Sequence, residues 1–123
     1  MSINALNWFE IPVSNMQRAS QFYSSVTGGN FREEVIGGNQ LAVFSYEQPG
    51  VGGCLVKGSA YVPGNHGAVV YLAIKDNLNA ALERVKAAGG MIATGNTRLP
   101  GEMGCYAHII DTEGNRVGLH AIN

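Results

Sequence analysis

Two stretches of the chain follow one pattern. Phe9 to Gly29 (FEIPVSNMQRASQFYSSVTGG) and Tyr71 to Gly90 (YLAIKDNLNAALERVKAAGG) each pass from a short apolar strand through a polar break and an amphipathic helix to a Gly-Gly stop. Each unit has one apolar strand face and one apolar helix stripe, and neither can be buried alone. Within 123 residues the repeat therefore predicts two copies of one unit sharing a core. A chain of that length buries about two thirds of its unfolded surface and needs no disulfide staples.

In the first copy, alternation puts Phe9, Ile11 and Val13 on one face of a strand and Trp8 and Glu10 on the other. Ser14 followed by Gln17 has capping-box spacing, which predicts a helix starting near Asn15 with Met16, Ala19, Tyr23 and Val26 as its stripe. In the second copy Val70, Leu72 and Ile74 replace the inward set, in a strand expected over Ala68 to Lys75. Leu78, Ala81, Leu82, Val85 and Ala88 then form the stripe of a helix near Asn77 to Ala88. Further strands are expected at Phe31 to Ile36, Gln40 to Tyr46, Gly52 to Lys57, Met91 to Thr94, Cys105 to Asp111 and Arg116 to Ile122. The Gly37-Gly38-Asn39 separator is a hairpin signal. The prediction is an α+β fold of two β-α-β-β-β modules in a single domain over 1–123, with module one over 1–58, a turn-rich linker over 59–67 and module two over 68–123.

Charged residues make up 14% of the chain and its net charge is −1, which gives no basic field for nucleic acid. No apolar run approaches a membrane span, and Met1 to Leu6 lacks the regions of a signal peptide, so a cytoplasmic protein is expected. Cys54 and Cys105 form no Cys-x-x-Cys pair and read as reduced small hydrophobes.

The repeat, together with Asp111 to Leu119 (DTEGNRVGL), resembles the vicinal oxygen chelate superfamily, which includes glyoxalase I, bleomycin-resistance proteins and extradiol dioxygenases. The resemblance implies modules curling a mixed sheet round a groove, helices on the outer face, and a homodimer that completes the groove. In metal-using members it implies an ion held by His, Gln or Glu from the first and last strands of each module. Carried onto this sequence, those positions are Trp8, Gly53, Val69 and Gly118, none with a side chain that ligates a divalent ion. The expectation is no cofactor, with a divalent ion only at a rearranged site drawing on Glu10 and His120.

On the groove face so defined, Trp8, Glu10, Tyr71 and His120 are the candidate ligand-binding residues, joined by Lys57 if Gly53 has the groove register. Glu10 and His120 are the candidate acid-base pair. Plainer roles stand beside these: Glu10 as a hydrogen-bonded surface carboxylate, Trp8 and Tyr71 as packing, His120 as a surface histidine. The facing of His108 depends on the turn after Asp111. A two-residue turn would pair Asp111 with Arg116 and turn His108 away from His120, and a three-residue turn reverses this. His66 reads as a loop residue, and Pro100 to Gly104 as either a pocket cover or a plain connection.

Three functions fit these residues. The first is binding of a small organic molecule without the usual metal ligands. The second is a lyase or isomerase of the glyoxalase kind, with a rearranged metal site or metal-free acid-base catalysis. The third is a structural or dimerisation module whose groove is filled by its own side chains.

Overall fold

The computed structural model describes residues 4–123, and the reading of Met1 to Leu6 falls partly on residues 1–3, outside them. Its elements are β1 (Trp8–Pro12), α1 (Met16–Thr27), β2 (Phe31–Ile36), β3 (Asn39–Phe44), β4 (Gly52–Lys57), β5 (Tyr71–Ala73), α2 (Leu78–Ala87), β6 (Met91–Arg98), β7 (Cys105–Ile110) and β8 (Arg116–Ala121). They make two β-α-β-β-β modules in an α+β fold. Each module has its own four-stranded mixed sheet, ordered β1-β4-β3-β2 and β5-β8-β7-β6. The first strand of each lies parallel to the last. The two sheets do not close into one barrel.

One core joins the modules. Ile11 and Val13, the α1 stripe of Met16, Ala19, Phe22, Tyr23 and Val26, and the α2 stripe of Leu78, Ala81, Leu82 and Val85 pack with Leu72, Ile74, Ile109 and Leu119. Each helix covers one face of its own sheet, and the other face carries Trp8 and Glu10 in the first module and Tyr71 in the second. Cys54 and Cys105 are free and buried. No helix among the described residues is long and apolar enough to cross a membrane.

Several boundaries differ from expectation. The β5 ladder covers only Tyr71 to Ala73. β6 runs on past Thr94 to Arg98 because register shifts between Ile92, Thr94 and Thr97 let the strand bend and resume pairing. At the β2-β3 hairpin, Gly37 and Gly38 have φ of +62° and +81°, a left-handed pair that only glycine adopts freely.

The α1 N-terminus is not closed by a Ser14 capping box. Asn15 is its cap, accepting from the Arg18 amide at 3.0 Å. Ser14 is drawn instead to Glu113, from the far end of the chain. One Glu113 oxygen accepts the Ser14 and Asn15 amides, each at 2.9 Å, and the other takes Arg18 Nε at 2.7 Å. The turn of the second module thus caps the helix of the first. Asp111 and Asn115, the two buried polar residues among the described residues, extend this latch. Asp111 accepts the Tyr23 hydroxyl at 2.5 Å and the amides of Glu113 and Asn115, both at 2.8 Å. Burial first, and then the Asp111 charge, hold the Tyr23 phenol well above its ordinary range, so Tyr23 stays a donor. Asn115 donates to the Pro12 carbonyl at 2.7 Å and accepts the Gly64 amide at 3.0 Å. The DTEGN stretch is therefore a fastener between modules.

Candidate functional site

Strand pairing decides which side chains share the groove face. β7 and β8 pair Ile110 with Arg116 and His108 with Gly118, and Asp111 donates its amide to the Asn115 carbonyl at 2.9 Å. Thr112, Glu113 and Gly114 therefore form a three-residue turn, so of the two alternatives the one without an Asp111-Arg116 pair holds. The extra residue swings His108 onto the face of Tyr106, His120 and Tyr71.

There His108 becomes the centre of a hydrogen-bonded chain. Its Nδ1 lies 2.9 Å from Arg116 Nη1 and its Nε2 lies 2.6 Å from the Tyr71 hydroxyl. A guanidinium only donates, so Nδ1 accepts, and the neutral imidazole carries its proton on Nε2. That proton is given to the Tyr71 oxygen. The Tyr71 hydroxyl hydrogen is then free to point to a ligand. The rings of Tyr71 and Tyr106 meet edge to face at 6.2 Å, with the His108 ring 5.4 Å from Tyr71 and 5.7 Å from Tyr106. Tyr71 is 51% exposed, so it presents ring and hydroxyl to the groove side.

The first module treats its face differently. Its own Tyr61, from the segment between β4 and β5, packs onto Leu41, Val43, Cys54 and Val56. The Tyr61 hydroxyl reaches Glu10 Oε2 at 3.4 Å. That hydrogen bond, followed by the carboxylate's charge, raises the Tyr61 phenol above its usual range. Trp8, 39% exposed, meets Tyr46 edge to face at 6.1 Å. On the first face Tyr61 covers Leu41, Val43, Cys54 and Val56 while Trp8 and Glu10 stay exposed, and on the second face Tyr71 is exposed.

β1 pairs Phe9 with Gly53 and Glu10 with Cys54. Gly53 therefore turns to the helix side, where the Phe9 ring occupies the space a side chain would need. Lys57 shares that face and does not join Trp8 and Glu10, which corrects the expected register. Glu10 belongs to the first sheet, whereas His120 stands opposite Tyr106 in the second and lies 2.6 Å from the Met103 carbonyl, bringing the Pro100–Gly104 loop against it. Glu10 lines a cavity of about 230 Å³ between modules with His66, Val70 and Arg116, and His66 is an exposed loop residue at its rim.

The same pairing moves the family's fourth metal position from Gly53 to Cys54, the counterpart of Gly118. The set is then Trp8, Cys54, Val69 and Gly118. Burial first, and next the Glu10 charge, push the Cys54 thiol up, which keeps it protonated and a poor ligand. At Gly118 the Tyr71 ring fills the space where a side chain would begin. Among the described residues no three His, Cys, Asp or Glu side chains gather as a metal centre requires. None of these four positions offers a ready side-chain ligand for a divalent ion.

His108 and Arg116 are the residues that sequence reading did not place at the site. The signal was the length of one turn, and Thr-Glu-Gly permits either count.

Residues 5–119 match the model of the Glyoxalase/Bleomycin resistance protein/Dioxygenase superfamily. No curated protein matches the chain. Among solved structures, TnmS3, an antibiotic-binding protein from Streptomyces sp. CB03234, superposes with a TM-score of 0.69 at 22% identity, covering 98% of each chain. A glyoxalase I mutant from Zea mays gives a TM-score of 0.69 at 22% identity over 95% of this chain and 46% of that one, so the present chain spans about half its length. The fosfomycin resistance protein FosX from Listeria monocytogenes gives 0.67 at 15% identity, over 98% of this chain and 94% of its own. At these identities the likeness extends to the fold.

Proposed function

Because the chain belongs to the Glyoxalase/Bleomycin resistance protein/Dioxygenase superfamily, we propose that it binds a small organic molecule through aromatic rings and hydrogen-bond donors, with no resident divalent ion. The observation that carries this reading is at Gly118. A position the family uses for a metal ligand has no side chain, and the Tyr71 ring lies over it with its hydroxyl held by His108. A face built this way orients a planar ligand and polarises little. TnmS3, similar in fold and length, is an antibiotic-binding protein, and sequestration of a comparable molecule is the role we assign here. Tyr71 and its neighbours form the centre of this site, whereas on the first module's face Tyr61 covers Leu41, Val43, Cys54 and Val56 and leaves Trp8 and Glu10 exposed.

Elemental analysis of the purified protein is expected to find no stoichiometric divalent ion. One tightly held ion per chain would overturn the metal-free reading. Saturation-transfer NMR with a panel of planar aromatic compounds is expected to detect binding that Tyr71→Ala abolishes.

We further propose a homodimer in the cytoplasm. The second module offers one wall of a groove and leaves the other to a second chain, and two buried free thiols suit a reducing compartment. Sedimentation equilibrium should return a mass near twice 13.0 kDa, and the single-chain mass would reject the pairing.

A further inference from the structure

We propose that the open face of the second module selects planar aromatic ligands carrying an anionic oxygen, which it holds between the Tyr71 hydroxyl and the Arg116 guanidinium. This rests on the binding reading above and names the ligand class.

The charge comes from Arg116. The ion pairs among the described residues use Arg18, Arg32, Arg84 and Lys86, and none uses Arg116. Its one side-chain partner is His108 Nδ1, an acceptor without charge in the tautomer this bond imposes. Its other N–H groups are left for a ligand or water. The strands of its own sheet present no carboxylate on this face: β5, β7 and β8 contribute Tyr71, Ala73, Tyr106, His108, Gly118 and His120. Glu10 is the acid lining the cavity that Arg116 also lines, and its oxygen is directed to the Tyr61 hydroxyl instead.

The preference for an acceptor comes from proton order along the chain. Arg116 donates to His108 and His108 donates to Tyr71, so Tyr71 has a proton left to give. Each donation strengthens the next. A ligand carboxylate or phenolate satisfies the end of such a chain, and an ammonium group does not. The preference for a flat ring comes from Tyr71 itself, whose ring packs on Gly118 and stands at 74° to that of Tyr106. A planar ring stacks on one and meets the edge of the other.

The test uses three probes of similar size: naphthalene-2-carboxylate, naphthalen-2-ylmethylammonium and the saturated decahydronaphthalene-2-carboxylate, titrated by calorimetry and saturation-transfer NMR. The naphthoate is expected to bind at least about tenfold more tightly than either of the others, as a charge-assisted hydrogen bond supports. Arg116→Gln should weaken naphthoate about tenfold. Tyr71→Phe, which keeps the ring, should weaken it about threefold and leave the ammonium probe unchanged. Arg116→Lys should recover part of the loss, which separates charge from folding, and thermal melts of each variant verify the fold. Equal affinity for naphthoate and naphthylmethylammonium, or naphthoate binding indifferent to Arg116→Gln in a folded protein, would overturn the anion preference while leaving the aromatic site standing. Failure of both naphthalene probes to bind would remove the aromatic site as well.

Discussion

Asp111→Ala is expected to lower the stability of the fold by about 3–5 kcal/mol, the range for breaking a buried charged hydrogen-bond centre. The carboxylate is 4% exposed and accepts from Tyr23, from the Glu113 and Asn115 amides, and from Asn115 Nδ2 at 3.0 Å. Alanine would leave these donors without a partner in a space too closed for water to replace it freely, and the cost lies in that desolvation more than in the lost bonds. Tyr23 suffers most, being wholly buried against Phe22 and Phe44. Urea unfolding should show a lower midpoint at unchanged slope, with Tm down by on the order of 10–20 °C. Asp111→Asn keeps one acceptor and should cost less than half as much. A loss below about 1 kcal/mol for the alanine variant would mean that the modules are held together by their shared apolar core alone.

That latch also explains why sequence reading reached the scaffold but not the site. Phe9, Ile11 and Val13 and their counterparts Val70, Leu72 and Ile74 are legible because strand and helix periods act locally, and Gly-Gly stops mark where they end. The cap on α1 was not legible, because Glu113 comes from the far end of the chain and outcompetes Gln17, the residue with the right spacing. At Gly52-Gly53 the strand pattern offers no side chain to reveal which glycine faces which way. The β1-β4 ladder, with the Phe9 ring packed on Gly53 and the Tyr46 ring on Gly52, fixes the register, and that puts Lys57 off the groove face and Cys54 onto it. The facing of His108 turned on one residue of turn length. Such choices are settled by pairing energies summed over whole strands, which a short window of sequence does not contain. The site therefore lies where local rules leave two answers, whereas the fold lies where they leave one.

Glu113 ties this latch to pH, and Glu113→Gln is expected to remove much of the chain's stability at neutral pH and little in strong acid. Burial works against the charged carboxylate, but hydrogen bonds from Arg18, the Asn15 amide, the Thr112 hydroxyl and the Ser14 amide outweigh it and bring Glu113 from the ordinary 4.5 to about 2. The folded protein thus holds the ionised form more tightly than the unfolded chain does. Its contribution is whole above about pH 4.5 and drains away as pH falls toward 2. The difference converts to on the order of 2–3 kcal/mol once screening at Arg18, whose side chain is 50% exposed, is allowed for. Glutamine can still accept one amide, but it cannot receive the charged Arg18 fork on both oxygens. Urea midpoints of the parent and of Glu113→Gln, measured from pH 7 to pH 2, should therefore start well apart and converge below pH 4. Curves that stay parallel across that window would assign the acid sensitivity to other carboxylates and leave Glu113 as a neutral spacer in the turn.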